Sequence, residues 1–313
     1  MATFLTVIIF GVLGAVFGSF FNCIICRSRY TQIVTQNNAE IIDKLSFWRG
    51  RSECPKCGHK LGFFDLIPVL SFIFLRGRCR YCKQKISWQY PIMELITAGL
   101  FIFTVWFHGV LSIAGSQGLV VVIRDLIFVS FLLLIFLFDF KYSLIPDRIS
   151  IPAIVVAFGF NIFLIFTAFS SARGGSAFGG NLPLLGGGGG KVGEIFSVIP
   201  QLDWGIQILK LFLAILIGGG FFGAQYLISK GKWIGGGDIR LGALMGAMLS
   251  LPNILLALFL AYVTGAIYGI TALILKKKTF KSEVPFGTFL TASTFIVLFY
   301  GTKIIQYYLR LLN

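Results

Sequence analysis

Two aspartates stand at the edges of long apolar runs: Asp139 closes one in "FLFDFKYSLIPD", and Asp238 opens another in "GGGDIRL". An aspartate at the centre of a membrane helix opposes insertion by roughly 2.5 to 3.5 kcal/mol, so intramembrane carboxylates are functional candidates by default. If the two meet, each disfavours ionisation of the other, and the pair shares one proton near neutral pH. Aspartic hydrolysis needs that state: the ionised partner takes a proton from water while the protonated one polarises the scissile carbonyl. Gly235, Gly236 and Gly237, lacking side chains, let backbone or substrate approach Asp238 closely. Other readings stay open on spacing alone. Asp238 can cap the helix it opens, Asp147 after "IP" is a rival for Asp139, and an ion or proton path through a transporter is an equally physical use of paired membrane carboxylates.

A second constellation is thiol-based. "CPKC" (Cys54, Cys57) and "CRYC" (Cys79, Cys82) form two C-x-x-C knuckles separated by 21 residues. Four thiolates satisfy a tetrahedral Zn²⁺ ion with no open position, so the expected metal is structural and not catalytic. A segment of about 60 residues has little core of its own, and metal binding would supply folding free energy directly. Reduced or redox-active thiols are the alternative. Cys23 and Cys26 share the spacing but end an apolar helix, where small helix-packing residues are the expectation; His59 is expected to be a solvated loop residue.

The elements that must position these groups are membrane helices. Of the 313 residues 57% are hydrophobic and only 12% charged, with a mean hydropathy of +0.88, whereas an ordinary soluble domain is roughly 25% charged. Runs able to cross a hydrocarbon core of about 30 Å recur along the chain, so the first is read as a retained anchor and not a cleaved signal. The pattern predicts about eight spans, near 3–25, 90–108, 119–138, 149–170, 205–228, 238–251, 253–275 and 284–308; the sixth is short and glycine-rich. Gly14 with Gly18 and Gly242 with Gly246 are small residues at helical spacing, suited to close helix approach.

The net charge of +15 records topology and not nucleic-acid binding. Residues 25–89 hold twelve Lys/Arg, 140–148 two, 229–240 three and the "KKKTFK" stretch four, together 21 of 27 and all on one side of an eight-span chain. The positive-inside rule makes that side cytoplasmic. No basic-aromatic recognition module accompanies the charge, which excludes a nucleic-acid partner. Independent counting of spans then sets Asp139 and Asp238 at the same cytoplasmic face, and sets the four cysteines where thiols stay reduced. The organisation expected is residues 1–26 as a first transmembrane helix, 27–89 as a cytoplasmic four-cysteine zinc domain, and 90–313 as a membrane core of seven helices. That core carries a flexible, glycine-rich extracytoplasmic loop at about 170–204. The fold class is an all-α integral membrane protein.

Six motifs in order resemble the bacterial type IV prepilin leader peptidases, bifunctional peptidases and N-methyltransferases of type IV pilus and type II secretion systems. They are "GSFFNCIICR" from Gly18, the two knuckles, "SWQYPIMELITA" from Ser87, "DFKYSLIPD" from Asp139, "GGGDIRLGA" from Gly235 and "PFGTFL" from Pro285. The resemblance implies that Asp139 and Asp238 are the catalytic aspartates of an aspartic endopeptidase in the bacterial inner membrane. Its substrate would be a prepilin or pseudopilin, cut on the cytoplasmic side after glycine. It also implies methylation of the new N-terminal residue from S-adenosylmethionine, with the region between the first two spans to be associated with methyl transfer. Glu94, near the start of the second span, is expected either to meet a basic leader or to be a helix-start acid favoured by the dipole. The chain departs from the family in "RSRYTQ" after Arg27, in Arg240 where lysine is common, and in the length of the glycine-rich loop. An ion-coupled transporter or channel subunit and an inactive secretion scaffold are the competing classes.

Overall fold

Continuous apolar stretches leave the backbone no partner in hydrocarbon except itself, and the chain answers with helices. The computed structural model describes residues 2–35, 52–54, 56–109, 116–173, 204–275 and 285–312. Its helices are α1 (Ala2–Thr35), α2 (Leu70–Phe74), α3 (Gln89–His108), α4 (Ser116–Tyr142), α5 (Asp147–Arg173), α6 (Trp204–Ser229), α7 (Gly236–Leu249), α8 (Asn253–Ile274) and α9 (Phe286–Leu312). The glycine-rich loop and "KKKTFK" lie outside the described residues.

Among the described residues seven helices are long and apolar enough to cross a membrane, and together they make a multi-pass membrane protein. The sixth of the eight expected spans is the exception. At 14 residues α7 is about 21 Å long, below the roughly 17 to 25 residues usual for a span. It stops at Ser250, a non-glycine residue at φ +57°, whose N–H bonds back to the Gly246 carbonyl; Pro252 then prevents continuation. A helix apolar on every side must be buried on every side, and α7 is: from Leu241 to Leu249 all but one residue is buried, against α5, α6, α8 and α9.

Two compact units divide the chain, Met1–Trp106 and Phe107–Asn313. In the first, Gly14 and Gly18 let α1 lie directly on α3; a Cβ on either would come within 2.7 Å of the α carbon of Ala98 or Glu94. In the second, α6 and α7 approach so closely that a Cβ on Gly218 would run into the Gly242 carbonyl, and one on Gly242 into that of Gly218. Gly246 packs in the same way on the Ala214 carbonyl. The small-residue pairs therefore serve packing within each unit. Gly242→Ala is expected to lower stability by about 1 to 3 kcal/mol, the usual cost of overpacking a tight contact. The fall should show as a reduced thermal midpoint in detergent, and an unchanged midpoint would mean that the two helices separate freely.

The second unit also contains a buried carboxylate that the sequence reading passed over. Asp125, fully buried on α4, accepts from Arg124 Nε at 2.7 Å and lies 2.8 Å from His108 Nε2. This cluster ties the end of α3 to α4, and a buried charge is tolerable only when paired in this way. The only trace of it in the sequence is the "RD" pair inside "VVVIRDLIFVSF".

Candidate active site

The two aspartates come from helix ends of the second unit. Asp139 lies in the last turn of α4 and is buried; Asp238 lies in the first turn of α7 and is half-buried. The charge of Asp139 acts directly on Asp238, so the fold brings the two carboxylates within electrostatic reach of one another. Asp238 is not the N-cap of its helix. The N-cap is Gly235, in extended backbone, and the Asp238 carboxylate reaches back to accept from its N–H, so the acid supports the helix start from the third position.

Asp139 is seated by the start of α9. The backbone N–H of Thr288 donates to Asp139 Oδ2 at 2.6 Å, one of the otherwise unpaired donors of a helix N-terminus. Gly287 presses on the same carboxylate: a Cβ there would sit 2.9 Å from Cγ and from Oδ2. "PFGTFL" is thus the cradle of a carboxylate 149 residues earlier in the chain. The motif was visible in the sequence, but its contact was not.

Each of the three glycines before Asp238 has a distinct setting. Gly237 is packed on Ile145, whose Cβ would lie 3.0 Å from an added methyl, which docks α7 on the α4–α5 corner. Gly235 and Gly236 remain exposed, and nothing but the chain's own neighbouring atoms and Arg240 approaches them. Asp147, the rival for the first carboxylate, opens α5 with its side chain 61% exposed and is ion-paired with Arg240. That pair clamps α5 to α7 at the surface.

Tyr262 on α8 feels the charge of Asp238, and its hydroxyl exchanges hydrogen bonds with Gln225 on α6 at 2.9 and 3.2 Å. Neither residue carries a sequence signal, since Tyr and Gln are ordinary near membrane interfaces.

Glu94 is placed in the first unit with partners of its own. It is buried and accepts from the Val69 N–H at 2.7 Å and from Ser19. Val69 sits at φ +58°, so the bond holds a strained turn against α3. These bonds tie α1, α3 and the segment before α2 together.

The four cysteines meet. The sulfurs of Cys54, Cys57, Cys79 and Cys82 all lie within 4.8 Å of one another, and Cys54 and Cys82 are 3.9 Å apart. The edge of a tetrahedron with metal–sulfur bonds of 2.3 Å is about 3.8 Å. The two knuckles are copies of one local design. In each, the first cysteine's carbonyl accepts from the N–H four residues on, Gly58 or Lys83, and both of those residues have positive φ. His59 is an exposed loop residue as expected, and its ring lies against Tyr81, 3.5 Å between centroids.

Electrostatics of the quartet ask for a cation. Burial opposes ionisation of Cys54, but hydrogen bonds from the Lys56 and Cys57 backbone, then from the Cys57 and Cys79 thiols, bring it down to about 7. At Cys82 a bond from Gln84 favours the thiolate, yet burial and the three neighbouring sulfurs prevail and push it up to about 11. Four thiolates cannot accumulate in one place unless a positive ion compensates them, and the donor set suits a structural metal site. Cys23 and Cys26 stay outside it: Cys26 contacts the Tyr90 hydroxyl at 3.0 Å and Cys23 lies 3.8 Å from Ser52 Oγ.

Residues 12–108 match the Bacterial Peptidase A24 N-terminal domain, and residues 126–270 match the Type IV leader peptidase family. The chain is 29% identical to a prepilin leader peptidase/N-methyltransferase of Bacillus subtilis over 96% of both chains. It is 28% identical to the protein of that name from Burkholderia pseudomallei over 93% of this chain and 84% of the relative. The Pseudomonas aeruginosa protein of the same name is 27% identical over 83% and 74%. No solved structure matches.

Proposed function

The chain belongs to the type IV leader peptidase family, and on that premise we propose that it removes the leader peptide from type IV prepilins or pseudopilins and N-methylates the residue exposed by the cut. Asp139 and Asp238 are the catalytic pair of this reading. The observation that carries it is a pair of acids from α4 and α7 within electrostatic reach of one another, one of them held by Thr288 and Gly287.

The chemistry is the addition of water across one amide. One aspartate, ionised, takes a proton from a water molecule; the resulting oxygen attacks the scissile carbonyl carbon while the other aspartate, protonated, hydrogen-bonds the carbonyl oxygen. Collapse of the tetrahedral intermediate breaks the C–N bond, and a proton passes to the leaving amine. The products are a free leader carboxylate and a new amino terminus. Gly235 and Gly236 leave room for an extended substrate backbone beside Asp238. The substrate's apolar helix enters in the membrane plane, and its basic leader stays on the cytoplasmic side of the bacterial inner membrane.

The four cysteines hold Zn²⁺ in this reading, and the ion supplies folding free energy to residues 52–88. S-adenosylmethionine is the methyl donor, a role supported by the methyltransferase names of the relatives. An ion-coupled transporter finds no such support.

The test is purified full-length protein with a prepilin carrying a Gly-Phe junction, with and without the methyl donor. Mass spectrometry should show loss of the leader and, with donor, the added mass of one methyl group. An intact prepilin in every tube would overturn the reading. Gly287→Ala sharpens the site assignment. Its methyl displaces the Asp139 carboxylate, and misplacement on the scale of 1 Å can cost about 100-fold in rate. A fall of that order is expected at an unchanged thermal midpoint; full activity would remove Gly287 from the site.

A further inference from the structure

The first unit carries an apolar surface beside the cysteine quartet that neither the metal nor the aspartates explain. Phe63 and Phe74 are each 80% exposed and Trp88 is 69% exposed. Trp88 directly precedes Gln89, the first residue of the α3 span, where interfacial tryptophans sit at headgroup level. Its ring packs on Phe72, 4.9 Å between centroids. Phe72 is in turn fitted to Gly77, where a Cβ would lie 3.1 Å from the ring.

Against this pair opens a groove of about 610 Å³. Ile73, Ile86 and Leu95 contribute apolar wall; Arg76, Arg78 and Lys85 supply three cations, and among the described residues no acid lines it. Leu95 stands inside the α3 span, about 9 Å from its first residue at 1.5 Å per residue. The groove thus joins hydrocarbon depth to a cationic site, and Arg76 at φ +51° and Gly77 at +67° form the tight turn that presents the cations. An occupant must be apolar along one end, anionic at the other and supplied by the bilayer. A basic leader peptide and a sulfonium donor are both disfavoured by like charge.

We propose that this groove binds one anionic phospholipid of the surrounding membrane. Arg76, Arg78 and Lys85 meet its phosphate, and its acyl chain lies along Ile73, Ile86 and Leu95. The site is independent of the cleavage chemistry. Its test uses the full-length chain in nanodiscs of equal phosphatidylcholine and phosphatidylglycerol, released for native mass spectrometry. Wild type should retain one phosphatidylglycerol in preference to phosphatidylcholine. The triple exchange Arg76→Gln, Arg78→Gln, Lys85→Gln should reduce that preference on the order of 100-fold, since each basic residue near an anionic surface contributes about a factor of five. Thermal midpoint and elution profile report the fold; should the triple variant fail them, Arg76→Gln alone carries the comparison, with a roughly fivefold drop expected. Equal retention of both lipids by wild type, or an undiminished preference in the variants, overturns the proposal and leaves the groove to a protein partner.

Discussion

Asp139→Asn and Asp238→Asn, each made alone in the full chain, are expected to lower leader removal by about 1000-fold or more while folding is retained. Asparagine preserves shape and the hydrogen bond from the Thr288 N–H, but it can neither take a proton from water nor give one back. Positioned acid–base groups contribute roughly 10² to 10⁴ in rate. Because the two acids act as a unit, the double variant should be little worse than either single one. The measurement is initial rate by mass shift on one prepilin, with thermal midpoint in parallel. A single variant that cuts as fast as wild type would sink the assignment at that position. Asp147→Asn is the control: this residue is exposed and paired with Arg240, and exposed pairs contribute about 0 to 1 kcal/mol. A modest change is expected there, and a collapse of activity with Asp147 together with retention at Asp139 would reverse the choice between them.

Removal of the metal should have the second large effect, confined to the residues around the knuckles. Binding of structural zinc supplies on the order of 10 kcal/mol in small Cys-rich domains, more than the burial available to a segment whose Phe63, Phe64 and Phe74 all face outward. Chelation, or Cys79→Ser, should therefore release hydrogen-exchange protection over residues 52–88 and expose that segment to protease. The membrane helices of the second unit should keep their protection, because their backbone hydrogen bonds are satisfied within each helix. Metal analysis should give one zinc per chain before chelation and none after. Unaltered protection in the knuckles once the metal is gone would show that the quartet holds no structural ion.

Much of this protein is legible locally. Seven of the expected spans read directly from hydropathy because a membrane helix declares itself by the length and polarity of one contiguous stretch. The cysteine quartet is equally local in character: two knuckles, each a short turn with its own backbone bonds, need only be brought face to face. Asp139 and Asp238 announce themselves because a carboxylate at the end of an apolar run is expensive.

Tertiary structure decided what those acids touch. That α7 ends after 14 residues turned on the reversal at Ser250 and Pro252, and its burial on four surrounding helices. Spacing alone did not show that Asp147 pairs with Arg240 or that Glu94 accepts from the Val69 N–H. Above all, the seat of Asp139 is made by Gly287 and Thr288, distant in sequence and adjacent in space. Local composition encodes which segments become helices, since each satisfies its own backbone. Which side chains meet depends on how close those helices can pack, and that is settled by contacts such as Gly218 on Gly242, which exist only once the fold has formed.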